Sequence, residues 1–93
     1  MILTEKCLQD YKIWFDKNYN DYWSYYQTKQ SILNALIVDF LDSVGIYIIS
    51  DYFELNKGFY SEILNENFEI VKPTRQEALT EAIKKANDIY NSK

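Results

Sequence analysis

The sequence contains no histidine, one cysteine, two glycines and one proline in 93 residues. Histidine is the most common general base, the usual partner of a serine or cysteine nucleophile and the most frequent zinc ligand. Its absence therefore excludes most catalytic and zinc sites of these kinds. The single cysteine, Cys7, excludes an intramolecular disulfide. The scarcity of glycine and proline favours regular helices and strands joined by short turns.

Long apolar runs are also missing. Since a helix needs about 20 apolar residues to cross a membrane, the sequence predicts no membrane-spanning helix. The N-terminal segment carries Glu5 and Lys6 and lacks the apolar region of a signal peptide. Together with a single free cysteine, these features predict a cytoplasmic protein with no membrane partner.

Hydrophobic residues make up 47% of the chain, which predicts a folded protein. The length predicts a single domain over residues 1–93. The net charge of −4 is unevenly distributed, because residues 39–69 carry seven acids and one base, a net charge of −6. Such a local excess of one charge influences association with partners more than it influences the fold.

Apolar residues recur at helical spacing in three segments, and we expect helices at about residues 4–18, 31–43 and 75–91. Thr74 and Glu77 form an S/T-x-x-E capping box at the start of the third. Candidate caps elsewhere are Thr4 and Ser31 at helix starts and Gly45 after a helix end. Three polar residues are expected off the apolar stripe of the second helix: Asn34, Asp39 and Asp42.

Three segments between Gly45 and Pro73 are rich in β-branched and aromatic residues, at about residues 45–54, 59–64 and 67–72. The connections between them are too short for crossovers, so an antiparallel meander is expected. Alternation places Phe68 and Ile70 toward the core and Glu69 toward solvent. The sequence therefore predicts an α+β fold, with the helices packed on a three-stranded sheet.

The sequence offers few groups for catalysis. Cys7 lies on the apolar stripe of the first helix, where a small buried side chain is favoured over a reactive thiol. Asp39 and Asp42 share a helical face, but a solvated surface is favoured over a carboxylate–metal site. We therefore expect no enzymatic activity, no cofactor and no bound metal. Direct nucleic-acid binding is also disfavoured, because the ten basic residues are scattered.

The segment from Tyr19 to Tyr26, YNDYWSYY, has the highest density of aromatic rings in the chain. Tyrosine and tryptophan suit protein interfaces, since they combine a large contact area with a polar tip. Burial in the core or in a dimer interface is the alternative. The predicted partner-binding residues are these aromatics and part of the acidic segment: Tyr22, Trp23, Tyr25, Tyr26, Asp39, Asp42, Asp51, Glu54 and Glu62.

The ending PTRQEALTEAIKKANDIYN, residues 73–91, resembles the C-terminal helix of small phage- and prophage-encoded proteins. The segment DFLDSVGIYI, residues 39–48, is similar to the middle of such proteins. The resemblance implies a small acidic phage protein, a class in which inhibitors of host enzymes and of CRISPR nucleases are common.

The sequence thus predicts a protein that acts by protein–protein interaction. The expected function is inhibition of a host defence enzyme, such as a CRISPR nuclease, in the cytoplasm of an infected bacterium. The expected partner is a host protein or a protein–RNA complex. The alternative is a non-catalytic accessory or structural phage protein that associates with itself, for example as a homodimer. The acidic residues either imitate nucleic-acid phosphates or only keep the protein soluble.

Overall fold

The fold is α+β, as the sequence predicted, and the described part of the chain forms three α-helices and a three-stranded antiparallel sheet. The computed structural model describes residues 2–19 and 29–93, except the side chains of residues 53 and 56. The elements in chain order are α1 (Glu5–Tyr19), α2 (Gln30–Ser43), β1 (Ile48–Phe53), β2 (Gly58–Ile63), β3 (Phe68–Lys72) and α3 (Arg75–Asn91).

The sheet is a meander in the order β1-β2-β3. A short 3-10 helix (Glu54–Asn56) followed by Lys57, with φ 48°, connects β1 to β2. The β2–β3 connection uses two asparagines in the left-handed region, Asn65 at φ 66° and Asn67 at φ 53°. Asparagine tolerates that conformation better than most residues, so the β2–β3 connection forms without glycine at these two positions.

Helix α3 packs across all three strands and against both other helices. Its buried face includes Ala78, Ala82, Ile83 and Ala86, each fully shielded from solvent. The small alanine side chains let the helix backbone lie close to the sheet. On the sheet side, Ile63 is buried while Phe68 and Ile70 are partly buried, and Glu69 between them is exposed, as the alternation predicted.

An aromatic cluster joins α1, α2 and α3. The Tyr11 ring lies 6.0 Å from Trp14 and 5.7 Å edge-on from Phe40, measured between ring centroids. Phe40 in turn lies 5.9 Å from Tyr90 of α3. Tyr11 and Phe40 are buried, and burial of such large rings is a major source of stability in a domain of this size.

Helix α2 ends in a Schellman motif centred on Gly45, with φ 85°. The Gly45 N–H donates to the Asp42 carbonyl at 3.2 Å, and the Ile46 N–H donates to the Leu41 carbonyl at 2.9 Å. Ile46 is 3% exposed and anchors the turn in the core. β1 therefore begins at Ile48, three residues after the approximate start that the sequence predicted, because Gly45 and Ile46 complete the cap of α2.

The three helices begin within one residue of the predicted positions, but two of the three predicted side-chain caps differ from expectation. Thr74 does cap α3, since the Glu77 N–H donates to its hydroxyl at 3.1 Å. Ser31 does not cap α2, because the helix already begins at Gln30 and its N-cap position is Lys29, which makes no side-chain cap bond. At α1, the Cys7 N–H donates to Asn91 Oδ1 at 2.8 Å, so this side-chain cap comes from α3.

Asn34 was expected on the solvent side of α2, and this was wrong. The residue is 0% exposed, and its Oδ1 accepts a hydrogen bond from Gln30 Nε2 at 2.6 Å. A hydropathy pattern assigns a polar residue to the surface by default. Here Gln30, one turn away, satisfies the Asn34 Oδ1, while the buried Asn34 Nδ2 has no hydrogen-bond partner among the described residues.

Candidate protein-binding surface

The face of the sheet turned away from the helices is the most distinctive surface of the described chain. The strand register places directly opposed residues on the same face, for example Ile49 with Glu62 and Tyr60 with Val71. A bond from the Leu64 N–H to the Tyr47 carbonyl, 3.0 Å long, extends the ladder by one pair. We call the following residues the outer face: Tyr47, Ile49, Asp51, Tyr60, Glu62, Leu64, Glu69 and Val71.

Four large apolar or aromatic side chains of the outer face are exposed to solvent. Tyr47 is 47% exposed, Leu64 41%, Ile49 38% and Val71 36%. Isolated exposed apolar residues are common on any protein, but several that share one sheet face form a contiguous patch. Such patches, bordered by polar residues, are typical of protein interaction sites.

The outer face also carries one carboxylate from each strand: Asp51, Glu62 and Glu69. None of its eight residues is basic. Glu62 and Glu69 are directly opposed across β2 and β3, an arrangement of like charges that destabilises a sheet. The combination gives this face a negative potential over an apolar surface, which suits a basic partner surface.

The predicted acidic site residues divide between two sides of the molecule. Asp51 and Glu62 lie on the outer face, whereas Glu54 lies exposed in the β1–β2 connection. Asp39 and Asp42 lie on α2, in the helical layer, so the acidic segment does not form one surface. Partial burial, and secondarily the charge of Asp39, raises the pKa of the Asp42 carboxyl.

The predicted aromatic site residues Tyr22, Trp23, Tyr25 and Tyr26 lie outside the described residues, so their role stays a prediction. Tyr19, the first ring of that segment, ends α1 and packs against the aromatic cluster. Its ring centroid lies 5.2 Å from Phe15 and 5.8 Å from Trp14.

A second polar cluster lies between α1 and α3. The Tyr90 hydroxyl donates to Asp10 Oδ2 at 2.5 Å, and Lys6 Nζ forms an ion pair with the same oxygen at 3.1 Å. The bond from Tyr90, followed by that from Lys6, lowers the pKa of Asp10. The bond to Asp10, with a smaller contribution from burial, raises the pKa of Tyr90 to about 12. At neutral pH the cluster is therefore a stable tyrosine–aspartate–lysine contact that ties the two helices together.

Cys7 is 0% exposed, and burial, with a smaller contribution from Asp10, raises the pKa of its thiol to about 11. The thiolate is the reactive form of cysteine, so this side chain behaves as a small buried apolar group at neutral pH. Within residues 2–19 and 29–93, no group of three or more acidic or cysteine side chains is arranged to hold a metal ion. No helix in the same ranges is long and apolar enough to cross a lipid bilayer.

The sequence reasoning missed the apolar half of the outer face, namely Tyr47, Ile49, Leu64 and Val71. The alternation of β1 and β2 contained a signal, because residues two apart in a strand share a face with Asp51 and Glu62. However, the run from Ile46 to Ile49 is apolar at every position, so alternation alone does not tell which face the helices cover.

Comparisons of the chain with protein-family models, with curated proteins and with solved structures found no match.

Proposed function

We propose that this protein acts by binding a larger partner through the outer face of its sheet rather than by catalysis. The observation that carries this proposal is the composition of that face, which combines exposed Tyr47, Ile49, Leu64 and Val71 with the carboxylates of Asp51, Glu62 and Glu69. Apolar contacts supply affinity in such an interface, while the charges select the partner and accelerate association.

The expected partner surface is basic. A second copy of the chain is a poor fit to the outer face, because two such faces in contact bring six carboxylates together with no base among the eight residues of each face. A surface rich in lysine and arginine pairs with the same carboxylates. This difference favours a foreign partner over the alternative of a self-associating accessory protein.

Together with the resemblance of residues 73–91 to phage proteins, this leads to a specific proposal. The protein is a phage-encoded inhibitor of a host defence enzyme, such as an RNA-guided CRISPR nuclease, and acts in the cytoplasm of the infected bacterium. Nucleases of that kind hold nucleic acid in a positively charged channel. Carboxylates on the outer face would occupy such a channel in place of phosphate groups.

The test is retention of a host partner by the tagged protein, compared between two double variants. E62K/E69K reverses the opposed pair on the outer face, whereas D16K/D88K makes the same change of net charge at exposed positions of α1 and α3. We expect E62K/E69K to slow association with the partner by about tenfold at low salt, and D16K/D88K to leave it nearly unchanged.

Equal binding by both double variants would contradict the assignment of the outer face. Purified RNA-guided nucleases then test the inhibitory role, since stoichiometric protein should block DNA cleavage and E62K/E69K should restore it. Dimers in sedimentation experiments, with no retained partner, would instead support the self-associating alternative.

A further inference from the structure

The free edge of β1 is a second feature of the sheet, distinct from the outer face. β1 pairs only with β2, so its other side presents backbone groups that no described strand uses. In an antiparallel pair, residues alternate between those that bond to the neighbouring strand and those that point away from it. Because the Leu64 N–H bonds to the Tyr47 carbonyl, the backbone groups of the odd-numbered residues in β1 point toward β2. The backbone groups of Ile48, Ser50 and Tyr52 therefore face the free edge.

One of these three N–H groups is already occupied. The Tyr52 N–H donates to the side chain of Asp51 at 2.8 Å. Ile48 and Ser50 have no backbone hydrogen-bond partner on that side among the described residues. The opposite edge of the sheet is protected, since Pro73, which lacks an N–H, follows β3 directly and Glu69 adds a charge. The edge of β1 is thus the one suited to accept another strand.

A groove of about 300 Å³ lies beside this edge. It is lined by Ala35, Val38 and Asp39 of α2, Ile48 and Ser50 of β1, and Arg75 and Leu79 of α3. Ile48 and Ser50 therefore line the groove with their side chains and present backbone groups, unpaired among the described residues, at the edge beside it. Arg75 adds one positive charge to this lining, and its guanidinium lies 5.0 Å from the ring centroid of Phe59 on β2.

We propose that β1 binds an extended segment of a partner protein as a fourth strand, with alternate side chains of that segment entering the groove. The backbone of Ile48 and Ser50 supplies the hydrogen bonds, as in other cases of strand addition. Val38 and Leu79 provide contacts for aliphatic side chains. Lysine or arginine in the segment faces carboxylates on either side, Asp39 toward the helices and Asp51 toward the outer face.

The charges near the groove favour a basic segment over a second copy of the chain. Asp39 and Asp42 repel each other on α2, and a nearby cation relieves that repulsion. Pairing of two β1 edges would instead bring a second copy of both residues to the same side of the enlarged sheet. The occupant is therefore a strand with alternating basic and aliphatic residues from another protein.

The probe is the blocked octapeptide acetyl-KVKVKVKV-amide. When it pairs with β1, its lysines lie either on the helix side, near Asp39, or on the outer face, near Asp51. The matched control peptide is acetyl-EVEVEVEV-amide. We expect the lysine peptide to bind at least about tenfold more tightly than the glutamate peptide. We also expect slower hydrogen exchange at the Ile48 and Ser50 amides of the wild-type protein when the lysine peptide is added.

S50P removes the outward N–H and leaves the outer face unchanged, whereas S50A removes only the hydroxyl that contacts Ser61 Oγ at 2.6 Å. Peptide affinity should fall about tenfold in S50P and stay within about twofold of wild type in S50A. Equal binding to both variants, no binding of the lysine peptide, or protection confined to other amides would overturn the proposal. A wild-type dimer that S50P dissociates would assign the edge to a second copy and overturn it as well. The amide-exchange experiment needs no variant, so it decides the matter even if S50P fails to fold.

Discussion

Glu62 and Glu69 lie directly opposite each other on β2 and β3, on the outer face of the sheet. The hydrogen-bond alternation makes them a non-bonded pair, in which opposed side chains are at the closer of the two spacings of an antiparallel sheet. Two carboxylates in this arrangement reduce stability, yet they give the proposed binding surface its charge.

The first prediction concerns the stability effect of this pair. E62K converts the repulsive pair to an attractive one and should raise the free energy of unfolding by about 0.5 kcal/mol at low salt. E69K should do the same, whereas E62K/E69K should return close to wild type because two lysines repel as two glutamates do. Urea denaturation of the four proteins forms a double-mutant cycle. Purely additive effects, or a gain that persists in 1 M salt, would contradict a direct interaction of the two side chains.

The second prediction concerns the Tyr90–Asp10 hydrogen bond, which requires a charged Asp10 and a protonated Tyr90. The lowered pKa of Asp10 contributes stability above its unfolded pKa, and this is lost as pH falls through the folded pKa. The raised pKa of Tyr90 contributes stability below about pH 10, which is lost as pH rises toward about 12. The stability difference between wild type and Y90F should therefore be flat from about pH 5 to 9 and shrink outside that window.

The tyrosinate absorbance at 295 nm measures the Tyr90 titration directly. The difference between wild type and Y90F should show a midpoint near 12. In the D10N background the same difference should move toward the ordinary tyrosine value, since the negative charge is gone. An unchanged midpoint in D10N would show that Asp10 is not the cause of the shift.

The third prediction concerns the amides by which α3 holds the start of α1. Asn87 is 5% exposed, and its Oδ1 accepts from the Thr4 N–H at 2.9 Å. N87A leaves that donor unsatisfied and should cost about 1–3 kcal/mol of unfolding free energy. D88A, at the exposed neighbouring position, is the matched control and should stay within about 0.5 kcal/mol of wild type. Equal urea midpoints for N87A and D88A would contradict a structural role of Asn87.

The fourth prediction concerns Gly45, whose φ of 85° belongs to the left-handed region. A Cβ at this position meets nothing within 4 Å, so backbone strain is the only expected penalty. G45A should cost about 1 kcal/mol, and G45N should cost less because asparagine tolerates this conformation. Thermal unfolding monitored by circular dichroism measures both. A larger cost for G45N than for G45A would show that side-chain contacts, not φ, control the turn.

The fifth prediction is that Cys7 is structurally important and chemically inert. Native protein should react with a thiol reagent only as fast as it unfolds, because the thiol is buried with a pKa of about 11. C7A should cost about 1 kcal/mol or more through lost packing and leave partner binding intact in the folded protein. Rapid labelling of the folded protein, or lost binding at unchanged stability, would indicate a functional thiol.

Much of the secondary structure was determined locally by the sequence. The capping box at Thr74 and Glu77 specified the start of α3, because its hydrogen bonds connect residues three apart. The short connections between the three strand segments specified an antiparallel meander, because they leave no room for a crossover. The alternation at Phe68, Glu69 and Ile70 likewise predicted which side chains are shielded from solvent.

The tertiary structure decided the features that depend on residues far apart in the chain. Asn91 replaces Thr4 as the side-chain cap of α1 across a separation of 84 residues, which no local pattern contains. The consecutive apolar residues around β1 fit either face, so only the packing of α3 made Tyr47 and Ile49 part of an exposed surface. The strand register then brought Glu62 and Glu69 together and separated them from Asp39 and Asp42 on α2. Acidic residues that are close in the sequence therefore do not share one surface, because packing between distant parts of the chain decides on which side of the molecule each acid lies.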